Sequence, residues 1–221
     1  MNDAEYLHHP VLLKEVIEAL NIEPNGKYID CTFGRGGHSE EILKSLGPGG
    51  KLLAIDQDIQ AIGYGKQKFA NASRIIFAQN NFSQILEVAK QYKLERQVNG
   101  IFFDLGVSSP QLDNPDRGFS FMHDGPLDMR MNTTEGLSAA AWLKKVSAAE
   151  LEKVLKEYGQ ERYSRRIANA VIERRVQQPL TTTKELADLV LSVVGRSNEK
   201  KHPATRTFQA VRIFINKAVS Y

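Results

Sequence analysis

The sequence is poor in the residues and segments that mark several classes of protein. Its single cysteine, Cys31, excludes an internal disulfide and favours a reducing compartment. No apolar run approaches the roughly 18 residues that a membrane span needs, and no signal-peptide pattern opens the chain. We therefore expect a cytoplasmic protein without a membrane partner, and we interpret Cys31 as a small buried hydrophobic residue.

Metal-ligand patterns and repeats are missing as well. The adjacent His8 and His9 have no cysteine or carboxylate at ligand spacing, so a loop or capping role is expected for them and no metal site is predicted. The sequence has no internal repeat and no low-complexity segment. With 221 residues, of which 42% are hydrophobic and 25% charged, the chain fits one globular domain or one domain that carries a large insertion.

Charge is distributed unevenly along the chain, although the formal net charge is only +3. Residues 1–150 hold 15 Lys and Arg against 19 Asp and Glu, a net charge of −4, whereas residues 151–221 hold 14 against 7, a net charge of +7. A basic region beside a neutral or acidic one indicates a polyanionic substrate. The alternative is that the basic helices are only solvated surface.

The functional interpretation centres on residues 28–38, which read YIDCTFGRGGH. A short apolar run, typical of a buried strand, leads into a glycine cluster and then into a helical pattern with Ile42, Leu43 and Leu46 on one face. Glycines let a ligand approach the backbone closely, and a helix N-terminus offers free N–H groups. This is the opening unit of a nucleotide-cofactor fold, although a simple turn would also explain the glycines.

An acid at the end of the next apolar run supports the cofactor interpretation. Asp56 ends the run 51–56, about 20 residues after the glycines, where such folds place the carboxylate that binds ribose. Capping of the following helix is the alternative, and it suits Asp58 better than Asp56. A dinucleotide would need glycine or alanine where Ser39 stands, so the loop favours a methyl donor such as S-adenosylmethionine, which has no pyrophosphate.

Apolar runs at residues 28–31, 51–56, 74–78 and 100–105 alternate with helical patterns, which predicts an α/β fold with a parallel, doubly wound sheet. Ligands of such sheets bind at the carboxyl ends of the strands. Four residues would converge there: Gly36, Asp56, Phe82 and Asp104. Phe82 would stack on an adenine ring, or it would be a buried aromatic at a helix start.

The second half of the sequence changes character. Loops at 104–113, 117–121 and 125–130 combine Gly, Ser, Pro and Asp with aromatic and arginine side chains, a mixture that suits a substrate pocket. From about Leu137 the pattern is helical, with capping boxes at 147–150 and 182–185. One predicted helix carries five arginines: Arg162, Arg165, Arg166, Arg174 and Arg175.

Five motifs occur in a fixed order: GRGGH at 34–38, DLGVSSPQ at 104–111, GFSF at 118–121, PLDMR at 126–130 and HPATRTFQA at 202–210. With them, essentially the whole chain resembles the bacterial ribosomal small-subunit RNA methyltransferase H family, also called MraW. The resemblance implies a Rossmann-like class I methyltransferase sheet with an inserted helical domain. It also implies transfer of a methyl group from S-adenosylmethionine to N4 of a cytidine in the decoding region of 16S ribosomal RNA. The implied cofactor positions are Gly36, Gly37, His38, Asp56, Phe82, Asp104 and Gln111.

The resemblance also divides the chain. Residues 1–107 would form the cofactor-binding core, residues 108–204 a loop-rich and helical insertion for substrate recognition, and residues 205–221 the start of a return to the core. Family members continue well past the point where this sequence stops. We therefore expect a truncated copy whose sheet is incomplete, with the strand at 100–105 as an uncovered edge. Its oligomeric state and its activity are left open.

Roles for individual residues follow from the chemistry. N4 of cytosine is a poor nucleophile because its lone pair is conjugated with the ring, so a group that accepts its N–H bonds assists the transfer. We expect Asp104 to do so, with Ser108 or Ser109 as helpers. Phe119 and Phe121 are predicted to stack on the base. The predicted basic contacts to the substrate are Arg130, Arg165, Arg166 and Arg206.

Two other functions compete with methyl transfer. A non-catalytic remnant that binds S-adenosylmethionine and RNA is compatible with an incomplete sheet. A nicotinamide-dependent oxidoreductase is disfavoured by Ser39 and by the loop that begins at Asp104.

Overall fold

The first half of the chain is built on a parallel sheet. In a computed structural model, which describes residues 10–195 and 201–217, the strands are β1 (Lys27–Asp30), β2 (Lys51–Asp56), β3 (Ile75–Gln79) and β4 (Gly100–Phe102). They are all parallel and lie in the order β3-β2-β1-β4, so the direction of winding reverses between β1 and β4. The predicted doubly wound α/β sheet is confirmed. Strand β4 is shorter than the predicted run 100–105.

Helices cover both faces of this sheet because successive strand residues point to opposite sides. The helices are α1 (Leu13–Leu20), α2 (Gly37–Ser45), α3 (Ile59–Lys68) and α4 (Ile85–Gln91). On one face Tyr28 and Leu52 pack with Ile42 of α2, and on the other face Ile29 and Leu53 pack with Val88 of α4. The predicted burial of Cys31 is confirmed. His8 and His9 lie outside the described residues.

The chain divides into two compact units, Met1–Ser108 and Ser109–Tyr221. The second unit is helical: α5 (Ser109–Asp113), α6 (Ala139–Leu143), α7 (Ala148–Gly159), α8 (Ser164–Gln177), α9 (Thr183–Val194) and α10 (Ala204–Ile215). Its core includes Leu155, Ile167, Leu186 and Phe208. At the start of α9, Thr182 and Glu185 form the predicted reciprocal capping box, whereas Ser147 of the other predicted box only accepts the N–H of Glu150.

One expectation about the end of the chain is wrong for the described residues. Residues from 205 onward were expected to begin a return to the sheet. Helix α10 instead packs on α7 and α9 within the second unit, and Phe208 and Val211 are buried in that unit's core. The reason is the apolar stripe of α10, which pairs with Leu151, Val154 and Leu155 of α7 to close a helical core.

Within the described residues, no helix combines the length and apolar character that crossing a membrane requires. The same residues contain no group of three or more His, Cys, Asp or Glu side chains arranged to hold a metal ion.

Candidate cofactor site

Three acidic residues follow the carboxyl ends of neighbouring strands in the first unit. Asp30 is the last residue of β1, Asp56 is the last residue of β2, and Asp104 lies just beyond β4. Because β1 and β4 flank the point where the winding reverses, their ends border the crevice in which open α/β sheets bind ligands. The strand order therefore places the ends of β1, β2 and β4 side by side at one edge of the sheet.

The glycine loop leads directly into helix α2. Gly34 and Gly36 have φ angles of 54° and 72°, in the left-handed region that favours glycine. Gly36 is the N-cap residue of α2 and no side chain caps this helix, so the N–H groups of the first turn, at Gly37, His38 and Ser39, have no capping partner among the described residues. A helix start of this kind is suited to hold an anionic or polar group.

The two left-handed glycines serve different purposes. A Cβ on Gly36 would lie 2.6 Å from ring atoms of Phe33, so this glycine is required by the protein's own packing rather than by an approaching ligand. A Cβ on Gly34 would meet only the carbonyl oxygen of Thr32, at 3.9 Å, and would otherwise project into open space. Gly34 is therefore the position at which a ligand has room to approach the backbone.

Asp56 joins the end of β2 to the glycine loop. Its Oδ2 accepts the N–H of Gly34 (2.8 Å) and its Oδ1 accepts the N–H of Asp58 (2.9 Å). Burial raises the pKa of Asp56 to about 6, because its effect exceeds that of the two hydrogen bonds, which lower the pKa. Each oxygen accepts one backbone N–H and keeps a lone pair for a further donor, such as a ribose hydroxyl. Asp58 caps α3 by accepting the N–H of Gln60 (2.9 Å), as the capping alternative predicts.

Asp30 is a site residue that the sequence interpretation missed. Only 1% of its surface is exposed, its Oδ1 accepts the N–H of Thr32 (3.1 Å), and its Oδ2 accepts the hydroxyl of buried Ser39 (2.7 Å). Burial raises the pKa of Asp30 to about 6, and the nearby charge of Asp104 also raises it. The available signal was an acid at the end of a buried strand immediately before the glycine cluster.

His38, a predicted cofactor residue, uses its side chain inside the protein. Its Nε2 lies 3.1 Å from the carbonyl oxygen of Val11, and its ring packs 4.5 Å from the ring of Phe102. The neighbouring Gly37 is packed as well, because a Cβ there would lie 2.3 Å from Cγ of Pro10. What these two residues offer a ligand is their backbone N–H groups.

Phe82 combines features of both interpretations proposed for it. The residue begins a short 3₁₀ turn, Phe82–Gln84, and is half-buried against the core under α4. Its ring meets that of Phe103 edge to face, with 5.8 Å between the ring centres. Because part of the Phe82 side chain is exposed, an adenine ring could still pack on it, and this stacking remains a proposal.

Asp104 and the two serines form the loop after β4. Asp104 is exposed, and its backbone N–H donates to Oγ1 of Thr32 (2.7 Å). Ser108 is half-buried at the end of the first unit, and Ser109 is the first residue of α5 in the second unit. The carboxylate of Asp104 is therefore accessible, which its proposed role requires.

Several predicted substrate residues are engaged in the core of the second unit. Phe119 is completely buried, so the prediction that it stacks on a base is wrong for this structure. Phe121 is half-buried, with its ring 4.8 Å from Phe208 and 4.7 Å from His202. Arg130 forms an ion pair with Asp128 (2.7 Å). Gln111, a predicted cofactor residue, is buried in α5.

The remaining predicted basic contacts differ in how available they are. Arg165 is exposed on α8, and Arg206 is half-buried on α10. Arg166 is exposed, but its Nη2 donates to the carbonyl oxygen of Val193 (2.7 Å) and its guanidinium lies 5.4 Å from the ring centre of Tyr163. Arg165 is therefore the clearer candidate for a phosphate contact.

Together, the glycine loop, the helix start and the acid that ends β2 define an α/β domain of the nucleotide-cofactor type. Comparison with known proteins narrows this class, because the sequence profile of the MraW methylase family matches residues 5–220. The chain belongs to that family.

Curated relatives agree with this assignment. The chain is 54% identical over 209 residues to a protein named ribosomal RNA small subunit methyltransferase H in Hamiltonella defensa subsp. Acyrthosiphon pisum (strain 5AT), with 95% of this chain and 67% of that protein covered. It is 52% identical over 210 residues to the protein of the same name in Idiomarina loihiensis, with 95% and 66% covered. The chain thus spans about two thirds of the length of these relatives.

Solved structures align with parts of the chain. One is a SAM dependent methyltransferase from Aquifex aeolicus (18% identity, TM-score 0.29, covering 31% of this chain and 38% of that one). Another is a protein-L-isoaspartate O-methyltransferase (15% identity, TM-score 0.39, covering 48% and 33%). The fold assignment rests on the parallel sheet and its strand order.

The methyl donor of this family is S-adenosylmethionine, and the site residues fit it. Asp56 can accept ribose hydroxyls, and the uncapped first turn of α2 can meet a carboxylate. The acids at the ends of β1, β2 and β4 give the crevice a negative potential that suits a sulfonium and an ammonium group.

Proposed function

We propose that the protein methylates N4 of a cytidine in the decoding region of 16S ribosomal RNA. The observation that carries this proposal is the cofactor site at the ends of β1, β2 and β4 in a chain of the MraW methylase family. The names of the curated relatives support ribosomal RNA of the small subunit as the substrate. The choice of N4 and of the decoding region comes from the motif resemblance.

The first unit would hold the cofactor with its own backbone and side chains. Asp56 would accept the ribose hydroxyls, the N–H groups of Gly37 and His38 would hold the carboxylate, and Phe82 would pack on the adenine. Gly34 would leave space for the cofactor at the loop. When bound, S-adenosylmethionine supplies an activated methyl electrophile, so the protein's task is mainly to align donor and acceptor.

Asp104 would act on the acceptor amine. Its exposed carboxylate lies just beyond the end of β4 and would accept an N–H of N4. This hydrogen bond would push electron density onto the nitrogen, and the carboxylate would take up the proton that the nitrogen loses after methylation. Ser108 or Ser109 would assist as hydrogen-bonding groups. Phe121 is the remaining candidate for stacking because Phe119 is buried.

The second unit would bind the RNA backbone. Residues 151–221 have a net charge of +7, and Arg165 and Arg206 keep part of their surface open to solvent. Phosphate contacts from such residues are independent of sequence, so the choice of nucleotide would fall to the loops after β4.

Transfer of radiolabelled methyl groups to undermethylated small subunits tests this proposal. The 221-residue chain and a longer relative are compared, each as the parent and with Asp104→Asn, and the labelled nucleoside is identified after digestion. We expect N4-methylcytidine from both parents and a loss of about 100-fold or more in each Asp104→Asn variant. Label in another nucleoside, or an Asp104→Asn variant with parental turnover, would overturn the assignment.

The rival function, a non-catalytic binding protein, is favoured by one observation. Strand β4 lies at the edge of the described sheet, with a neighbour on one side only among the described residues. Binding of both S-adenosylmethionine and RNA by the 221-residue chain, without methyl transfer under conditions where the longer relative is active, would support this rival.

A further inference from the structure

A chain of hydrogen bonds at the end of β1 connects the two loops that the proposed function uses. At its centre, Oγ1 of Thr32 accepts the backbone N–H of Asp104 (2.7 Å), and the N–H of Thr32 donates to Oδ1 of Asp30 (3.1 Å). Oδ2 of Asp30 accepts the hydroxyl of Ser39 in the first turn of α2 (2.7 Å). We propose that Thr32 is a positioning residue that fixes the Asp104 loop relative to the cofactor loop, an inference that rests on the proposed function.

The bond from Asp104 replaces a backbone bond that the sheet does not make. The last paired residues of β1 and β4 are Asp30 and Phe102, and Cys31 then donates its N–H to the carbonyl oxygen of Phe102 (2.9 Å). Beyond this point, the N–H of Asp104 is held by the side chain of Thr32. The hydroxyl therefore extends the β1–β4 connection to the residue whose carboxylate is proposed to act on the substrate.

The first residues of the loop beyond Asp104 are exposed. Leu105 and Gly106 are exposed, and a Cβ on Gly106 would meet no atom within 4 Å. A segment with so few packing contacts takes its position from its hydrogen bonds. The bond to Thr32 therefore fixes the backbone of Asp104, from which its carboxylate projects.

The other end of the chain of bonds is rigid. Asp30 and Ser39 are both buried, and above its pKa of about 6 Asp30 is an ionised acceptor, for which hydrogen bonds are stronger than for a neutral one. Thr32 is thus attached to the buried Asp30 through its backbone N–H, while its side chain holds the exposed loop that begins at Asp104. This division lets a side-chain substitution affect one loop and leave the other in place.

Two substitutions separate the hydroxyl from the shape of the side chain. Thr32→Val keeps the branched shape and the backbone N–H to Asp30 but removes the acceptor for Asp104. Thr32→Ser keeps the acceptor and serves as the matched control. Ser39→Ala removes the bond between Asp30 and α2, and so it probes the cofactor loop alone.

The test is hydrogen exchange, resolved to single amides, on the 221-residue chain. We expect the Asp104 amide to exchange roughly twofold to tenfold faster in Thr32→Val, as the loss of one neutral hydrogen bond implies. The amide of Cys31 should be unchanged, and Thr32→Ser should resemble the parent. Equal exchange of the Asp104 amide in the parent and in Thr32→Val would overturn the proposal, as would accelerated exchange in Thr32→Ser equal to that in Thr32→Val.

A second measurement separates this proposal from the proposed function. The chain is titrated with S-adenosylmethionine by calorimetry, and the longer relative with the matching substitutions is assayed for turnover. Thr32→Val is expected to lower turnover by roughly twofold to tenfold, whereas Ser39→Ala should mainly weaken cofactor binding. A parent chain and relative that bind no S-adenosylmethionine would refute the proposed function, while the exchange experiment would still decide whether Thr32 holds the loop.

Discussion

At the scale of single residues, the two left-handed glycines of the loop before α2 have different surroundings, since Gly36 packs against Phe33 and Gly34 borders open space. Four members of the predicted site, at Gly36, Asp56, Phe82 and Asp104, do lie at strand ends or the loop beside them. The sequence could not distinguish Gly36, which faces Phe33, from Gly34, which faces open space. The sequence interpretation also missed Asp30, because the bond between Asp30 and the hydroxyl of Ser39 forms only in the folded structure and has no signature in the sequence.

The two glycines give the first prediction. Gly36→Val would clash with Phe33 and unfold the loop, so Gly34→Ala is the sharper probe of cofactor approach. Replacing a glycine that has a left-handed φ by alanine costs about 1 kcal/mol of stability. In addition, we expect the added methyl group to weaken S-adenosylmethionine binding by about tenfold or more. Calorimetry and thermal unfolding measure the two effects separately.

Gly136 provides the matched control for this experiment. Its φ of 72° lies in the same left-handed region as the 54° of Gly34, and a Cβ there would meet no atom within 4 Å, so Gly136→Ala imposes a similar backbone strain in the second unit. Its cofactor affinity should equal that of the parent. If both variants weaken binding equally, the effect of Gly34→Ala is strain and not contact.

Asp30 and Asp56 give a prediction about pH. Burial raises both pKa values to about 6, and the charges of Asp104 and Asp58 contribute in the same direction. The folded protein therefore holds more protons than the unfolded chain between about pH 4 and pH 6, and these two groups stabilise the fold as the pH falls through 6. Cofactor binding should respond in the opposite sense, since it needs ionised acceptors.

We therefore expect S-adenosylmethionine affinity to fall by about tenfold per protonated carboxyl between pH 7 and pH 5. Calorimetric titrations across this range measure it, and thermal unfolding at each pH shows that the protein remains folded. Asp56→Asn should lower the affinity at pH 7 and reduce the slope. An affinity independent of pH in the parent would contradict a role for these carboxylates.

At the scale of secondary-structure elements, charge patterns proved harder to interpret than hydrophobic ones. The strands and most helices lie where the apolar runs predict them, because burial fixes their spacing. The arginines of α8 also hold the ends of helices: Arg175 donates to the carbonyl oxygens of Leu143 and Val146, and Arg166 donates to that of Val193. The sequence does not distinguish an arginine that binds the carbonyl groups at a helix end from one whose side chain is available to bind a phosphate.

The helix α8 gives a prediction about RNA binding. Arg165→Ala should weaken binding of a small-subunit RNA fragment and reduce the slope of log affinity against log salt by roughly 0.7–0.9. Arg166→Ala should in addition lower the thermal stability, because it releases the carbonyl oxygen of Val193. Fluorescence anisotropy at several salt concentrations measures the slope.

The control for the salt slope is Lys66→Ala on α3. This exposed lysine carries the same charge but belongs to the first unit. An Arg165→Ala slope equal to those of the parent and of Lys66→Ala would show that Arg165 is ordinary solvated surface.

At the scale of the whole molecule, the described sheet ends in an apolar edge. Strand β4 has no neighbour beyond it in the described residues, and Ile101, Phe103 and Leu105 are 47%, 43% and 60% exposed. Parallel sheets are normally covered on both faces, and uncovered edge strands pair with other chains. The sequence predicted this edge from the resemblance alone, since an apolar run does not show where its strand stops pairing.

We predict that the 221-residue chain, expressed alone, associates with itself through the edge of β4. Ile101→Lys should reduce the association because a charge at the middle of β4 opposes edge pairing. Val176→Lys is the matched control, since Val176 is 81% exposed but lies on a helix. Light scattering across a concentration series measures the association.

A chimera that carries the C-terminal segment of a longer relative after residue 221 should associate less if that segment covers β4. A parent chain that is monomeric across the concentration series and melts cooperatively would contradict this prediction. Equal association of the Ile101→Lys and Val176→Lys variants would show that the contact lies elsewhere.

The pairing of β4 with β1 also determines the order in which parts of the protein fold. Tyr28 pairs with Gly100, and the bond from Asp104 to Thr32 closes a separation of 72 positions along the chain. Pairings over such distances carry a large loop-closure entropy and form slowly, whereas the helices of the second unit are mostly local. Helical signal should therefore appear early in refolding, and the capacity to bind a ligand should appear only after β4 has joined the sheet.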